Sequence, residues 1–254
     1  MKRAAVIFGI HGDEKGPLEV ARAARQLKID SCKVDVIGPV NERAWHDNVR
    51  FIDKDLNRSF DGSAIGSESK YVSIVDSLLS YDVVIDIHSF MMDSLLTSVN
   101  FQGSKYASSL PLDIVWDVES DEQEYQTTLS AQLHKRGVDS LTIELPVLPC
   151  LTHRHVKRVI RAIETFLQEY PQVPQAPIIP HYKRIHLTSD WRGIYHPQAG
   201  LGEYVKKGDT IATINRVTEE DIVFKAPTSG TVIQVRPKSW VEPGKSLVAI
   251  GKLK

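Results

Sequence analysis

Two short runs, RAAVIFGI (3–10) and YDVVIDIH (81–88), are apolar at consecutive rather than alternate positions. A strand with one covered face alternates apolar and polar residues, so runs like these need a sheet covered on both sides. The covering segments lie between them. GPLEVARAARQLK (16–28) sets Val20, Ala24 and Leu27 at helical spacing behind Pro17, which suits a first helical turn. ESKYVSIVDSLLS (68–80) and a stretch near 122–137 read as further helices. THRHVKRVIRAIETFLQEY (152–170) lines up Val156, Ile160, Ile163 and Leu167 in one stripe, with Arg154, Lys157, Arg158 and Arg161 on a solvated face. KVDVIGPV (33–40), LDIVWDV (112–118) and DSLTIEL (139–145) add strands. Strands alternating with helices predict an α/β sheet flanked by helices.

After residue 170 the texture changes. YPQVPQAPIIPH (170–181) has proline at 171, 174, 177 and 180, as expected of an extended connector. Beyond it the chain shows no helical period, only short β-type segments and an internal repeat, VKKGDTIATI (205–214) and VEPGKSLVAI (241–250). Two copies of a turn-plus-strand unit predict a small all-β sandwich or barrel with approximate two-fold symmetry. The expected division is 1–180 and 181–254.

Bulk properties exclude several classes. Hydrophobic residues at 42% and charged residues at 25% describe a globular chain, and a net charge of -1 gives no general affinity for nucleic acid or anionic membrane. No apolar stretch approaches the roughly 20 residues that span a bilayer. The N-terminal apolar run is broken too early by His11, Asp13, Glu14 and Lys15 for a signal peptide. Cys32 and Cys150 form no disulfide framework or thiolate metal site, so a reducing cytoplasm is the expected location.

Ligands in open α/β sheets bind outside the carboxyl ends of the strands. Here three predicted strands end in groups of one chemical kind: His11-Gly-Asp-Glu14, His88 and Glu144. Two imidazoles and one carboxylate with a fourth position open make a common catalytic zinc set, which His11, Glu14 and His88 would complete. Gly12 would let one loop supply two ligands. Taken alone, H-x-x-E is equally a polar loop. Glu144 could serve as the proton-transferring base or be a solvent-exposed strand-end acid. Asp86, two residues before His88 on the same face, is its rival and could orient a ligand instead. The loop NERAWHDNVRFIDKDLNRSF (41–60) is poor in helical periodicity. It offers Arg50, Asn57 and Arg58 for gripping a carboxylate or an oxyanion, and Asp55 for the outer N–H of a ligand histidine. A plain charged loop is the competing reading.

In order and spacing, HGDE, NERAW…R…DLNRSF, DIH and TIEL resemble the succinylglutamate desuccinylase/aspartoacylase family of zinc hydrolases, relatives of the zinc carboxypeptidases. The resemblance implies a zinc-carboxypeptidase-like mixed sheet for the first unit. It implies that His11, Glu14 and His88 hold one zinc ion per chain and that Glu144 activates the attacking water and then protonates the leaving group. It further implies that Arg50 polarises the scissile carbonyl, that Asn57 and Arg58 bind the α-carboxylate of a small N-acyl amino acid, and that Asp55 steadies His11. Asp13 stands where the family often has asparagine, and Glu144 is followed by Leu145-Pro146 where glycine is more usual. The C-terminal part resembles a biotinyl/lipoyl-type sandwich. Its INRVTEED tip (214–221) lacks the carrier lysine, so a cap over the cleft or an assembly surface is expected.

The leading expectation is therefore a cytoplasmic zinc-dependent deacylase of a small N-acyl amino acid, without nucleic acid or membrane partners and with its oligomeric state, homo-oligomer included, left open. The rivals are a carboxypeptidase-like peptidase and a non-catalytic binding protein on a hydrolase scaffold.

Overall fold

The computed structural model describes residues 1–100, 106–118, 123–173, 179–216 and 219–254. The first strands and helices follow the apolar pattern: β1 (Lys2–Phe8), α1 (Pro17–Ala24), β2 (Cys32–Ile37), α2 (Glu42–Asp47), α3 (Ile74–Leu78) and β3 (Val83–Ser89). Next come β4 (Asp93–Ser94), β5 (Thr97–Asn100), β6 (Ile114–Asp117), α4 (Leu129–Lys135), β7 (Asp139–Leu145) and α5 (His153–Glu169). The remaining described residues add only strands: β8 (His181–Thr188), β9 (Gly193–Pro197), β10 (Tyr204–Val205), β11 (Thr210–Asn215), β12 (Ile222–Lys225), β13 (Gly230–Val235), β14 (Ser239–Val241) and β15 (Ser246–Leu253).

β2, β1, β3 and β7 run parallel, and β5 lies antiparallel against β7. Helices cover both faces, as the two apolar runs require. Val6, Ile85 and Leu141 pack beneath the Val159–Ile163–Phe166 stripe of α5, while Ala5, Ile7 and Val84 face Leu78 and Leu133 on the other side. Of the α5 basic face, Arg158 is not simply solvated; it donates to Asp113 at 2.7 Å.

Several elements depart from the pattern reading. The 68–80 segment is a 3₁₀ turn (Gly66–Tyr71) followed by the short α3, because Glu68 is fully buried. Its carboxylate accepts from the Ile52 and Asp53 amides at 2.7 and 3.1 Å. The 41–60 loop is more ordered than its sequence suggests. Asn41 caps α2 by accepting from the Ala44 amide, and Asn48 ends it in the left-handed conformation. Helix 122–137 divides into a 3₁₀ stretch and α4. The connector prolines at 174 and 177 lie outside the described residues. Cys32 is buried, Cys150 is partly buried, and both are unpaired.

The repeat is visible in three dimensions. Val205 and Val241 are both buried, Gly208 and Gly244 both take positive φ, and Ile214 and Ile250 enter one core. β12-β11-β9-β14 form a four-stranded sheet over that core. Its partner layer, β10-β13-β15-β8, does not stand apart. β8 pairs in parallel with β6, so one eleven-stranded mixed sheet runs across residue 180. The two-residue β4, just past His88, pairs with β13 off the main strand order. That pairing sets β13 beside the segment that follows His88.

Candidate active site

Register brings the strand-end residues together. β3 and β7 pair so that His88 lies directly beside Glu144, and β1 leads from Phe8 into His11. Gly12 is needed for a reason other than flexible curling. Its φ is ordinary, but a Cβ there would lie 2.0 Å from the Ala44 carbonyl carbon on α2. Its amide also donates to the Arg50 carbonyl at 3.2 Å. Gly12→Ala must therefore push the ligand loop off α2. It should lower stability by about 2 kcal/mol, read as a fall in melting temperature; an unchanged melting point would disprove the contact.

Glu14 is the hub. Its Oε1 lies 2.6 Å from His11 Nδ1 and 3.2 Å from Arg50, and its Oε2 lies 3.0 Å from His88 Nδ1 and 2.9 Å from the Ser89 amide. The outer nitrogens are also backed by carboxylates: His11 Nε2 by Asp55 at 3.0 Å and His88 Nε2 by Asp86 at 2.9 Å. Both Nδ1 atoms converge on Glu14, and a hydrogen on each Nε2, donated to Asp55 or Asp86, would leave each Nδ1 lone pair free for a cation beside Glu14. Ligand atoms of His11, Glu14 and His88 lie within 4.8 Å of one another, and all three residues are buried. Two imidazoles and a carboxylate, each imidazole oriented from behind by another acid, fit a divalent ion of the zinc kind. Asp86 thus takes the orienting position that the sequence left open to it.

The electrostatics of the protein alone are those of a charge cluster in need of balance. Burial opposes the charge on Glu14, but His11 and His88 outweigh it and hold the carboxyl well below its usual range. Burial likewise opposes charge on His88, and Asp86 and Glu14 raise its pKa in spite of it. Asp55 is held low against burial by its hydrogen bond to His11 and by Arg50 and Arg58. Glu144 behaves differently. Burial pushes it up to about 7, opposed by His88 and reinforced by Glu14.

The 41–60 loop delivers its residues to the same place. Arg50 bridges Glu14 and Asp55, with 3.3 Å from Nε to Asp55. The Asn57 side-chain Oδ1 accepts from the Leu129 amide at the start of α4. Arg58 lies over the Tyr125 ring, 4.6 Å from its centroid, which leaves its planar face supported. His11, Glu14, Arg50, Asn57, Arg58, His88 and Glu144 all line one cavity of about 450 Å³. Asp55 sits behind His11. All the residues singled out in the sequence are thus gathered at one site.

The opposite wall carries no clear mark in the sequence. Arg184, Gln234, Arg236 and Lys245 line the same cavity from beyond residue 180. The only sequence signal for them was faint: charged and amide residues set among apolar strands of the β-rich part.

The succinylglutamate desuccinylase/aspartoacylase catalytic domain matches residues 1–170. The chain therefore belongs to this family, whose members are deacylases. No curated protein matches the sequence significantly. Among solved structures, a succinylglutamate desuccinylase from Silicibacter sp. TM1040 superposes with a TM-score of 0.81 at 18% identity, over 100% of this chain and 85% of that one. The product-bound ectoine utilization protein EutE (DoeB) from Ruegeria pomeroyi gives 0.80 at 15%, over 98% and 85%. A mutant murine aminoacylase 3 gives 0.70 at 16%, over 100% and 95%. The large mixed sheet flanked by helices is thus this family's fold. Among the described residues no helix is long and apolar enough to cross a membrane.

Proposed function

We propose that this protein is a zinc-dependent amidohydrolase that removes the acyl group from a small N-acyl amino acid in the cytoplasm. The observation that carries the reading is the convergence of both Nδ1 atoms on Glu14, with Asp55 and Asp86 behind them and Glu144 beside them. His11, Glu14 and His88 would hold one zinc ion, which when bound supplies Lewis acidity and lowers the pKa of a water towards roughly 7. Glu144, with its proton affinity raised by enclosure, takes the proton from the attacking water and hands it to the departing amine. Arg50 presents its guanidinium to the oxyanion that develops on the acyl carbonyl. Asn57 and Arg58 hold the α-carboxylate, Arg58 being stiffened by Tyr125.

The β-rich part, read as a biotinyl/lipoyl-like sandwich over 181–254, acts as a cap on the cleft rather than as a carrier. A carboxypeptidase-like activity would need room for a longer chain beside the wall that β13 and β4 form. The direct test is metal analysis of the purified protein together with a comparison of N-acyl amino acids and a tetrapeptide. About one zinc per chain and hydrolysis of the N-acyl amino acids is the expected result. Preference for the tetrapeptide would favour the peptidase, and absence of both metal and turnover would favour a binding protein. Arg58→Ala should raise KM for carboxylate-bearing substrates by roughly 10- to 100-fold with a smaller change in kcat. An unchanged KM would remove Arg58 from the carboxylate site.

A further inference from the structure

Away from the cavity, residues from three separate segments meet in one chain of hydrogen bonds. Ser108 Oγ lies 2.8 Å from His181 Nε2, and His181 Nδ1 lies 3.1 Å from both carboxylate oxygens of Asp117. Asp117 is held in turn by the Asn100 amide, which donates to Oδ1 at 2.6 Å, and by the Lys254 ammonium, 3.5 Å from Oδ2. A carboxylate only accepts. A hydrogen on His181 Nδ1, donated to Asp117, leaves the Nε2 lone pair to accept from the Ser108 hydroxyl.

The fold brings the three together independently of the cavity. Parallel pairing of β6 with β8 sets Val115 beside His181 and Trp116 beside Tyr182, so Asp117 and His181 stand on adjoining strands. Side chains alternate along β6: Trp116 lines the cavity, and Val115 and Asp117 face the other way. On that far face Val115 packs with Ala107 and Ile179, which seats the 3₁₀ turn Ala107–Ser109 over the strand and carries Ser108 to His181. β5 also runs away from Glu144, since Thr97 pairs with Glu144 and Val99 with Thr142. Asn100 and Asp117, paired at the end of that run, therefore lie toward the opposite edge of the sheet.

Exposure is divided as a nucleophilic centre needs. The Asp117 side chain is 9% exposed, that of His181 is 34% exposed, and Ser108 is partly exposed. The acid is enclosed where it orients the ring, and the hydroxyl–imidazole pair is within reach of solvent. A hydroxyl, a base within hydrogen-bond distance of it and a third group orienting the base are the recurring parts of an activated serine.

We propose that Ser108, His181 and Asp117 form a second, metal-free nucleophilic centre that hydrolyses a small carboxylic ester. Ser108 Oγ bonds to the acyl carbon, the alcohol leaves with the C–O electron pair, and the Oγ proton passes to it through His181. Water then bonds to the acyl carbon, His181 takes its proton and returns one to Oγ, and the carboxylic acid leaves. Asp117 is a positioning residue, holding the imidazole in the required tautomer. The centre is open at the surface, so an ester, whose alcohol departs readily, suits it better than an amide.

The test treats the zinc-loaded protein with a fluorophosphonate, in which Oγ bonds to phosphorus and fluoride leaves, and locates the adduct by peptide mass spectrometry. Labelling at Ser108 is the expected result. His181→Gln should slow it by roughly 100-fold or more and Asp117→Asn by at least about 10-fold, at melting temperatures close to that of the unaltered protein. Ser109→Ala, which removes the neighbouring hydroxyl on the same turn, should label at the normal rate. Should Asp117→Asn fail to fold, His181→Gln decides, because its ring is partly exposed. Turnover is read with p-nitrophenyl acetate, and the share of the rate lost on full labelling should equal the share lost in Ser108→Ala. Ser108 left unlabelled, labelling at the same rate in His181→Gln, or no loss of esterolysis on labelling overturns the centre. The adduct is read at one serine outside the cavity, so the result does not depend on whether N-acyl amino acids are hydrolysed.

Discussion

Replacing Glu144 by glutamine should lower kcat by about 1,000-fold while leaving zinc content and melting temperature close to those of the unaltered protein. Glutamine keeps the size and hydrogen-bonding reach of the side chain but cannot take up and return a proton. Glu144 is not among the three converging ligand residues, so its loss leaves His11, Glu14 and His88 intact. The pH profile gives a second readout with a definite sign. Burial pushes Glu144 up to about 7, and the form that accepts a proton is the carboxylate. Activity should therefore be full above about 7 and fall about tenfold per pH unit below it. The residual activity of Glu144→Gln should lack that limb. A variant with near-normal kcat, or one that retains the same acid limb, would remove Glu144 from proton transfer.

His88→Ala should abolish stoichiometric zinc, and Asp86→Ala should weaken zinc binding by roughly 10- to 100-fold without abolishing it. The difference follows from position. His88 Nδ1 faces Glu14, whereas Asp86 reaches only the far nitrogen at 2.9 Å, where it fixes the tautomer and the ring orientation. Asp55→Ala should resemble Asp86→Ala, because Asp55 plays the same part at His11 Nε2. Competition with a chromophoric chelator measures all three. Apo-protein melting curves show whether each variant still folds, which matters for Asp86 because it is 2% exposed. Full zinc occupancy in His88→Ala would be falsifying for the site, and unchanged affinity in Asp86→Ala would reduce Asp86 to packing.

What the sequence by itself determined was everything carried by short-range pattern. Consecutive apolar residues in β1 and β3 demanded cover on both faces. The end of each run marked where polar chemistry could begin, and that placed His11, Glu14, His88 and Glu144 at one edge of the sheet. The 205–214 and 241–250 repeat, read from sequence, recurs in the structure as buried valines and positive-φ glycines at matching positions. The period also failed where a buried polar group took over. Glu68 broke an expected helix because its carboxylate is an acceptor for two amides of the ligand-side loop.

Only the tertiary structure decided how distant segments meet. The direct pairing of His88 with Glu144 is a matter of register between β3 and β7, and a slip of one residue would have turned Glu144 to the other face. Asp86 became the partner of His88 through the ring orientation that Glu14 imposes from the other side. The second wall of the cavity depends on pairing between Ser94 and Gln234 and on a one-residue slip in β13. Neither leaves a mark on local periodicity. The reason is physical: hydrophobic spacing records which face of an element is buried, whereas the partner against which it is buried is set by packing and hydrogen-bond register across the whole chain.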